Sequence, residues 1–333
     1  MLLDRLARPL SDLRISVTDR CNFRCRYCMP REHFGKSHVF LPRAEILSFE
    51  EIARVARLLA GFGLRKVRLT GGEPLLRAEL PELVRQLARV PGLEIALTSN
   101  GVLLHSQAKA LREAGLHRVT VSLDSLDPVV FRTMTDSAFE VTDVLGGIAA
   151  ARAAGFPFVK INCVVRRGIN DLDVVALARH FKGSGNIVRF IEYMDVGATN
   201  GWEREQVLSA REILAQLREH WQLVPLEPSA PGEVAQRYGF ADGSGEVGVI
   251  ASVTQPFCGS CNRARLSADG QLFTCLFARV GFDLRALLRS GADDEALGDA
   301  IKSLWRARTD RYSELRSEQT RLLPRAEMSY LGG

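Results

Sequence analysis

Three thiols within eight residues, Cys21, Cys25 and Cys28, carry the clearest chemistry in this 333-residue chain. Their spacing is C-x3-C-x2-C, with Tyr27 directly before the last cysteine. A [4Fe–4S] cluster takes cysteine thiolates as its usual protein ligands. Three local thiolates with no local fourth leave one iron open, and an open iron can bind a small molecule and change it. Zinc favours paired C-x2-C units and a fourth ligand. A disulfide frame suits a small secreted chain. The bacterial ferredoxin spacing is different and fills every ligand position. The loop therefore reads as an iron–sulfur site.

A second group follows much later. Cys258, Cys261 and Cys275 form C-x2-C-x13-C, with Arg263 and Arg265 close behind. On spacing alone this is either a zinc ribbon lacking one ligand or part of an iron–sulfur site. Cys163 stands apart from both groups and reads as a small buried hydrophobe.

Chemistry of this kind needs a scaffold that gathers distant segments. The first 195 residues alternate strand-like and helix-like stretches. Residues 13–18 are a β-branched run that ends just before the first cysteine loop. Residues 49–60 place Ile52, Val55, Leu58 and Leu59 on one helical face. Residues 66–70 read as a strand closed by Gly71-Gly72-Glu73-Pro74. Residues 79–90 then read as a helix and residues 93–98 as a strand, followed by the Asn100-Gly101 turn signal. The alternation continues through a helix at 108–114, a strand at 118–123, a helix at 141–154 and a strand at 158–165. It closes with a helix at 172–181 and a strand at 187–193. Roughly six βα units with short connections predict a parallel sheet, an α/β fold, and a partial (β/α)6 barrel with active residues where strands end. From about residue 200 the rhythm is lost, and residues 227–248 are rich in Pro, Gly and Ser. Residues 1–199 are expected to form the barrel. Residues 200–333 are expected to form a smaller domain that closes its open side.

Hydrophobic residues make up 46% of the chain and charged residues 25%, which is ordinary for a globular protein. A net charge of +5 is too modest to argue for nucleic acid, but it suits an anionic small substrate if the arginines converge. No apolar run reaches the ~20 residues of a membrane span. Residues 1–10 do not read as a secretory signal. Together with the cysteine usage, this predicts a cytoplasmic protein with no membrane and no nucleic-acid partner.

The first loop resembles the signature of the radical S-adenosylmethionine (SAM) enzymes, C-x3-C-x-aromatic-C, with Tyr27 as the aromatic residue. In that family the methionine end of SAM chelates the open iron, and one electron releases a 5′-deoxyadenosyl radical. Both cysteine groups together resemble the GTP 3′,8-cyclases of molybdenum cofactor biosynthesis, over nearly the whole chain. The likeness runs through Thr18-Asp19-Arg20-Cys21, Tyr27-Cys28-Met29-Pro30, Thr70-Gly71-Gly72-Glu73-Pro74-Leu75, Thr98-Ser99-Asn100-Gly101 and Val121-Ser122-Leu123-Asp124. It continues in Phe190-Ile191-Glu192-Tyr193-Met194-Asp195 and Phe257-Cys258-Gly259-Ser260-Cys261-Asn262-Arg263, and ends in Gly332-Gly333.

The resemblance implies two [4Fe–4S] clusters, one on Cys21, Cys25 and Cys28 and one on Cys258, Cys261 and Cys275. It implies SAM contacts from Tyr27, Gly72, Ser122 and Met194. GTP would be held by Arg14, Arg68, Thr98, Lys160, Arg263, Ala264 and Arg265. Catalytic roles would fall to Arg14, Arg263, Arg265, Gly332 and Gly333, and Arg189 also fits the pattern. The implied reaction abstracts the ribose 3′ hydrogen, joins that carbon to guanine C8, and yields 3′,8-cyclo-7,8-dihydro-GTP. An electron donor of unknown identity and a homodimer would complete the system.

Each residue also has a plainer reading. The Gly71-Gly72 turn alone is an ordinary βα turn, Met194 alone is core packing, each cation alone is a surface or salt-bridge group, and a terminal Gly-Gly alone is a frayed tail. A peptide-modifying radical SAM enzyme usually carries more C-terminal cysteines than the three here. An electron carrier needs neither the glycine turn nor arginines on barrel strands.

Overall fold

The computed structural model describes residues 1–230, 232–317 and 325–332. Six strands are parallel neighbours in chain order: β1 (Asp12–Ser16), β2 (Lys66–Thr70), β3 (Glu94–Ser99), β4 (Arg118–Ser122), β5 (Val159–Val165) and β6 (Ile187–Glu192). The helices between and after them are α1 (Phe49–Phe62), α2 (Leu80–Ala88), α3 (Leu104–Glu113), α4 (Pro128–Thr135), α5 (Val141–Ala153), α6 (Val174–Phe181) and α7 (Ala210–Arg218). This is the expected α/β partial (β/α)6 barrel.

Local chemistry sets the helix ends. Ser48 and Glu51 form a reciprocal capping box that starts α1, and Gly63, at φ +113°, ends it in the left-handed region. Ile52, Val55 and Leu59 then bury one face of α1 against the sheet. Among the helices that escaped the sequence reading, α4 and α7 have their start signals present. Asp127 caps α4 with Pro128 in its first turn, and Ser209 with Glu212 forms a capping box on α7.

The remaining strands continue the same sheet past both edges. β7 (Leu223–Leu226), β8 (Gln236–Phe240) and β9 (Glu246–Ile250) follow β6, with β9 parallel to it. β10 (Arg263–Leu266) pairs parallel with β1, and β11 (Gln271–Phe273) and β12 (Phe282–Asp283) extend that edge antiparallel. The order is β12-β11-β10-β1-β2-β3-β4-β5-β6-β9-β8-β7. Three further helices follow among the described residues: α8 (Leu284–Arg289), α9 (Asp294–Ala307) and α10 (Met328–Leu331). Among the described residues, no helix is long and apolar enough to cross a membrane.

Strand alternation separates the two faces. On β5, Val159, Ile161, Cys163 and Val165 are buried while Lys160, Asn162 and Val164 are less so; β6 repeats the pattern with Arg189 among its less buried positions. Cys163 lies in the core, as expected, with its thiol 3.4 Å from the Asp124 carbonyl.

Candidate active site: two sulfur triads and a row of cations

The first cysteine loop follows β1 and is pinned from below by the glycine turn after β2. A Cβ on Gly72 would lie 2.2 Å from the Arg20 carbonyl oxygen, and one on Gly71 would lie 2.4 Å from that of Thr18. Only glycine permits this approach. It lets the Gly72 amide donate to the Thr18 carbonyl and the Glu73 amide to the Arg20 carbonyl, both at 2.8 Å. Glu73 is buried and accepts from Ser99 Oγ (2.9 Å) and from the amides of Asn100 (2.7 Å) and Leu75 (3.0 Å). Burial outweighs these bonds and pushes its carboxyl up to about 7.

Tyr27 packs with Met134, Tyr193, Trp202 and Val207, and Cys25, Cys28 and Met328 pack against this cluster. Its hydroxyl donates to Asp124 Oδ2 at 2.8 Å, and Asp124 also accepts from the Val164 amide at 2.8 Å. Burial pushes the Asp124 carboxyl up to about 6. Ser122 ends β4 and Met194 lies two residues past the end of β6. Both are half-buried, and neither side chain has a hydrogen bond among the described residues.

All seven cysteines are free thiols. Burial pushes Cys21 up to about 12, with Glu73 adding to it, and drives Cys25 and Cys28 upward as well. Cys21 and Cys28 each raise Cys25, which places the three in one electrostatic neighbourhood. Buried thiols of this kind become thiolates when metal supplies the missing positive charge. Among the described residues, no three or more His, Cys, Asp or Glu side chains converge on a point that could hold one ion. A four-iron cluster binds each thiolate to a different iron, so the lack of such a point does not bear on either triad as a cluster site.

The second triad has different surroundings. Burial raises Cys261, but Arg263 and Arg308 overcome it and bring the thiol down to about 6. Nη2 of Arg263 and Nη2 of Arg308 each donate to Cys261 Sγ at 3.3 Å. Burial pushes Cys275 up to about 11.

Cations line the strands between. Arg14 on β1 stands in register with Arg68 on β2 and with Arg265 on β10. Arg68 Nη1 donates to Thr98 Oγ1 on β3 (2.9 Å) and Thr120 Oγ1 on β4 (3.1 Å). Thr120 in turn stands in register with Lys160 on β5. Burial and then its neighbours Arg265 and Arg263 drive Arg14 well below its usual value. Burial followed by cation repulsion brings Arg265 to about 10, Arg189 to about 9 and Lys160 to about 7. Buried Nε atoms of Arg14 and Arg189 have no hydrogen-bond partner among the described residues. Like charges side by side on adjacent strands are unfavourable, so this row is short of counter-charge and suited to a polyanion.

Ala264 faces away, with its methyl in the apolar core. Gly332 reaches the row: its carbonyl accepts from Arg265 Nη1, and a Cβ there would lie 2.2 Å from Thr70 Cγ2. Gly333 lies outside the described residues. Sequence reasoning gave no role to Asp124, although its motif was in view. It missed Arg308 altogether, because a lone arginine after a charged helix carries no local signal.

Residues 15–181 match the radical SAM superfamily, and residues 186–314 match Molybdenum Cofactor Synthesis C. The GTP 3′,8-cyclase of Acidothermus cellulolyticus is 57% identical over 319 residues, covering 94% of this chain and 88% of that protein. The chain belongs to the GTP 3′,8-cyclase family. The member from Xanthomonas axonopodis pv. citri is 50% identical, covering 99% of this chain and 98% of that protein. The Staphylococcus aureus member is 46% identical, with coverage of 99% and 98%. Among solved structures, Streptococcus suis SuiB bound to S-adenosylmethionine gives a TM-score of 0.63 at 14% identity, covering 95% of this chain and 72% of that one. Native anSMEcpe with bound AdoMet gives 0.51 at 20% identity, covering 63% and 60%. These two likenesses concern the fold shared by the family.

Proposed function

We propose that the two sulfur triads and the cationic strand row divide one reaction among named side chains. The chain is an enzyme of the GTP 3′,8-cyclase class, a radical SAM lyase of molybdenum cofactor biosynthesis. It converts GTP to 3′,8-cyclo-7,8-dihydro-GTP, with two [4Fe–4S] clusters and SAM as cofactors. When bound, the first cluster with SAM supplies the hydrogen-abstracting radical, and the second supplies an open iron for the guanine edge.

Cys21, Cys25 and Cys28 would hold the first cluster, and Cys258, Cys261 and Cys275 the second. Tyr27, fixed by Asp124, would wall the SAM pocket together with Gly72, Ser122 and Met194. Arg14, Arg68, Lys160, Arg263 and Arg265 would bind the triphosphate and ribose, with Thr98 joined to Arg68 and Arg189 adding charge. Any contact from Ala264 would come from its backbone, since its methyl is in the core. Gly332 and Gly333 would bring side-chain-free backbone to Arg265 and the ribose. The residues' main task is to hold C3′ and C8 in near-attack geometry and to keep water away.

The observation that supports this reading most strongly is the in-register set Arg68, Arg14 and Arg265 on three adjacent strands. Such a set makes sense with a triphosphate lying across it. We also propose that residues 1–199 act as the radical-generating barrel and residues 200–333 as the substrate-side closure. A homodimer and an external one-electron donor belong to the same proposal, because reductive SAM cleavage consumes an electron.

The test is anaerobic reconstitution of both clusters, reduction, and incubation with SAM and GTP. Formation of 5′-deoxyadenosine together with a cyclised guanine nucleotide supports the reading. SAM cleavage with GTP untouched assigns the substrate elsewhere. Light scattering on the loaded enzyme checks the dimer.

A further inference from the structure

A buried ion network lies behind the second cysteine loop, built from the N-terminal segment and the stretch after α9. Arg308, directly after α9, is 4% exposed and stacks over Trp305 at 4.5 Å. Its Nη2 donates to Cys261 Sγ at 3.3 Å, and its Nη1 donates to the Cys261 carbonyl at 2.7 Å. Nη1 also pairs with Asp4 Oδ2 at 3.3 Å, and Nε lies 3.6 Å from Asp310 Oδ2. Asp4 is buried and held by Arg8 at 2.6 Å. Arg8 in turn donates to the carbonyls of Cys258 (2.8 Å) and Asp310 (2.7 Å). An N-terminal hook and the end of α9 therefore grip both cysteines of the C-x2-C pair.

Arg263 also donates to Cys261 Sγ, but it belongs to the strand row that would meet substrate. Arg308 is held by Asp4 and spends its Nη donors on Asp4 and Cys261, while its buried Nε, near Asp310, has no hydrogen-bond partner among the described residues. Hydrogen bonds and positive charge at a ligating sulfur stabilise the reduced, more negative cluster. A buried guanidinium exerts this effect strongly, because little water screens it.

We propose that Arg308 is a positioning residue for the second cluster: its N–H to Cys261 sulfur contact and its buried charge fix that ligand and raise the cluster's reduction potential. This rests on the reading of Cys258, Cys261 and Cys275 as cluster ligands. Asp4 and Trp305 hold the guanidinium plane in place, so the effect depends on the fork as well as the charge.

The test is a redox titration of the reconstituted holoenzyme and of Arg308→Gln, followed by electron paramagnetic resonance, with iron and sulfide assayed in each. The expected result is a shift of the second cluster's one-electron reduction equilibrium toward the oxidised form by about tenfold, which is about 59 mV. The first cluster should keep its potential. Arg308→Lys retains the buried charge but loses the fork, and should shift the same equilibrium less, in the same direction. An unchanged second potential in a fully loaded Arg308→Gln protein overturns the proposal. If Arg308→Gln loses the second cluster, Arg308→Lys decides by the same criterion. A wild-type protein that binds only one cluster would instead sink the cluster reading itself.

Discussion

Around Cys21, Cys25 and Cys28 burial raises every thiol first and the thiols raise one another, with Glu73 adding at Cys21, Asp124 at Cys25 and Glu327 at Cys28 and Arg24 a partial offset at Cys21. Around Cys261 the acting charges are guanidinium groups, from Arg263 and Arg308. Both loops offer three thiols to iron, yet only in the second is one of them, Cys261, lowered by guanidinium groups, while burial and Asp310 raise its neighbour Cys275. Anionic surroundings disfavour added negative charge and lower a cluster's potential, whereas cations raise it. The first setting suits a centre that must give an electron to SAM. The second suits one that binds a neutral base edge beside a polyanion. The ligand set thus names the kind of cluster, and the residues behind it divide the labour.

The largest effect should come from separating the two triads. Cys25→Ala should lower 5′-deoxyadenosine formation by more than about 100-fold, beyond the ~10–100-fold typical of losing an outer-shell partner alone. Cys261→Ala should leave SAM cleavage within a few-fold of wild type while abolishing nucleotide cyclisation. Product analysis of both variants checks this, and equal loss of SAM cleavage in the two would break the division of labour.

Next, Arg265→Ala removes one cation of the row and the partner of the Gly332 carbonyl. GTP affinity should fall about 10- to 100-fold, since a charged hydrogen bond is worth about 1.5–3 kcal/mol. Equilibrium dialysis with GTP measures it, and SAM affinity should stay constant.

The carboxylate side of the comparison predicts a pH slope in the cluster-free protein. Glu73 binds its proton more tightly when folded, at about 7 against 4.5 unfolded. The folded state therefore holds an extra proton in that window and loses stability as pH rises through it, by up to about 3 kcal/mol at about 1.36 kcal/mol per unit. Glu73→Gln should flatten the slope between those pH values in urea unfolding. An identical slope in the variant would rule out Glu73 as its source.

The smallest effect is expected at the cysteine that belongs to neither loop. Cys163→Ala should leave iron content unchanged and cost about 1 kcal/mol of stability, as a small core truncation does. Lost iron would mean that Cys163 had been misread as core.

Much of this was legible in the residues. The helical faces of α1, α2 and α5 and the runs of β2 and β4 stood out because apolar spacing is a local property set by burial on one face. The missed helices α4 and α7 had readable caps but only short apolar stripes. Other features were invisible for a different reason. The β10 strand joins β1 across some 250 residues of chain, and nothing in Arg263-Ala264-Arg265 says which strand it will pair with.

The sequence by itself determined the two cysteine triads proposed as cluster ligands, the glycine turn and the alternating barrel, because ligand spacing and periodicity are written within a few residues. Only the tertiary structure decided that Arg14, Arg68 and Arg265 stand side by side, that Asp124 holds Tyr27, and that Arg8 and Arg308 close on the second loop with Asp4 between them. Those are long-range choices. They depend on which strands meet and on which buried charges must find partners, and no single stretch of chain contains that information.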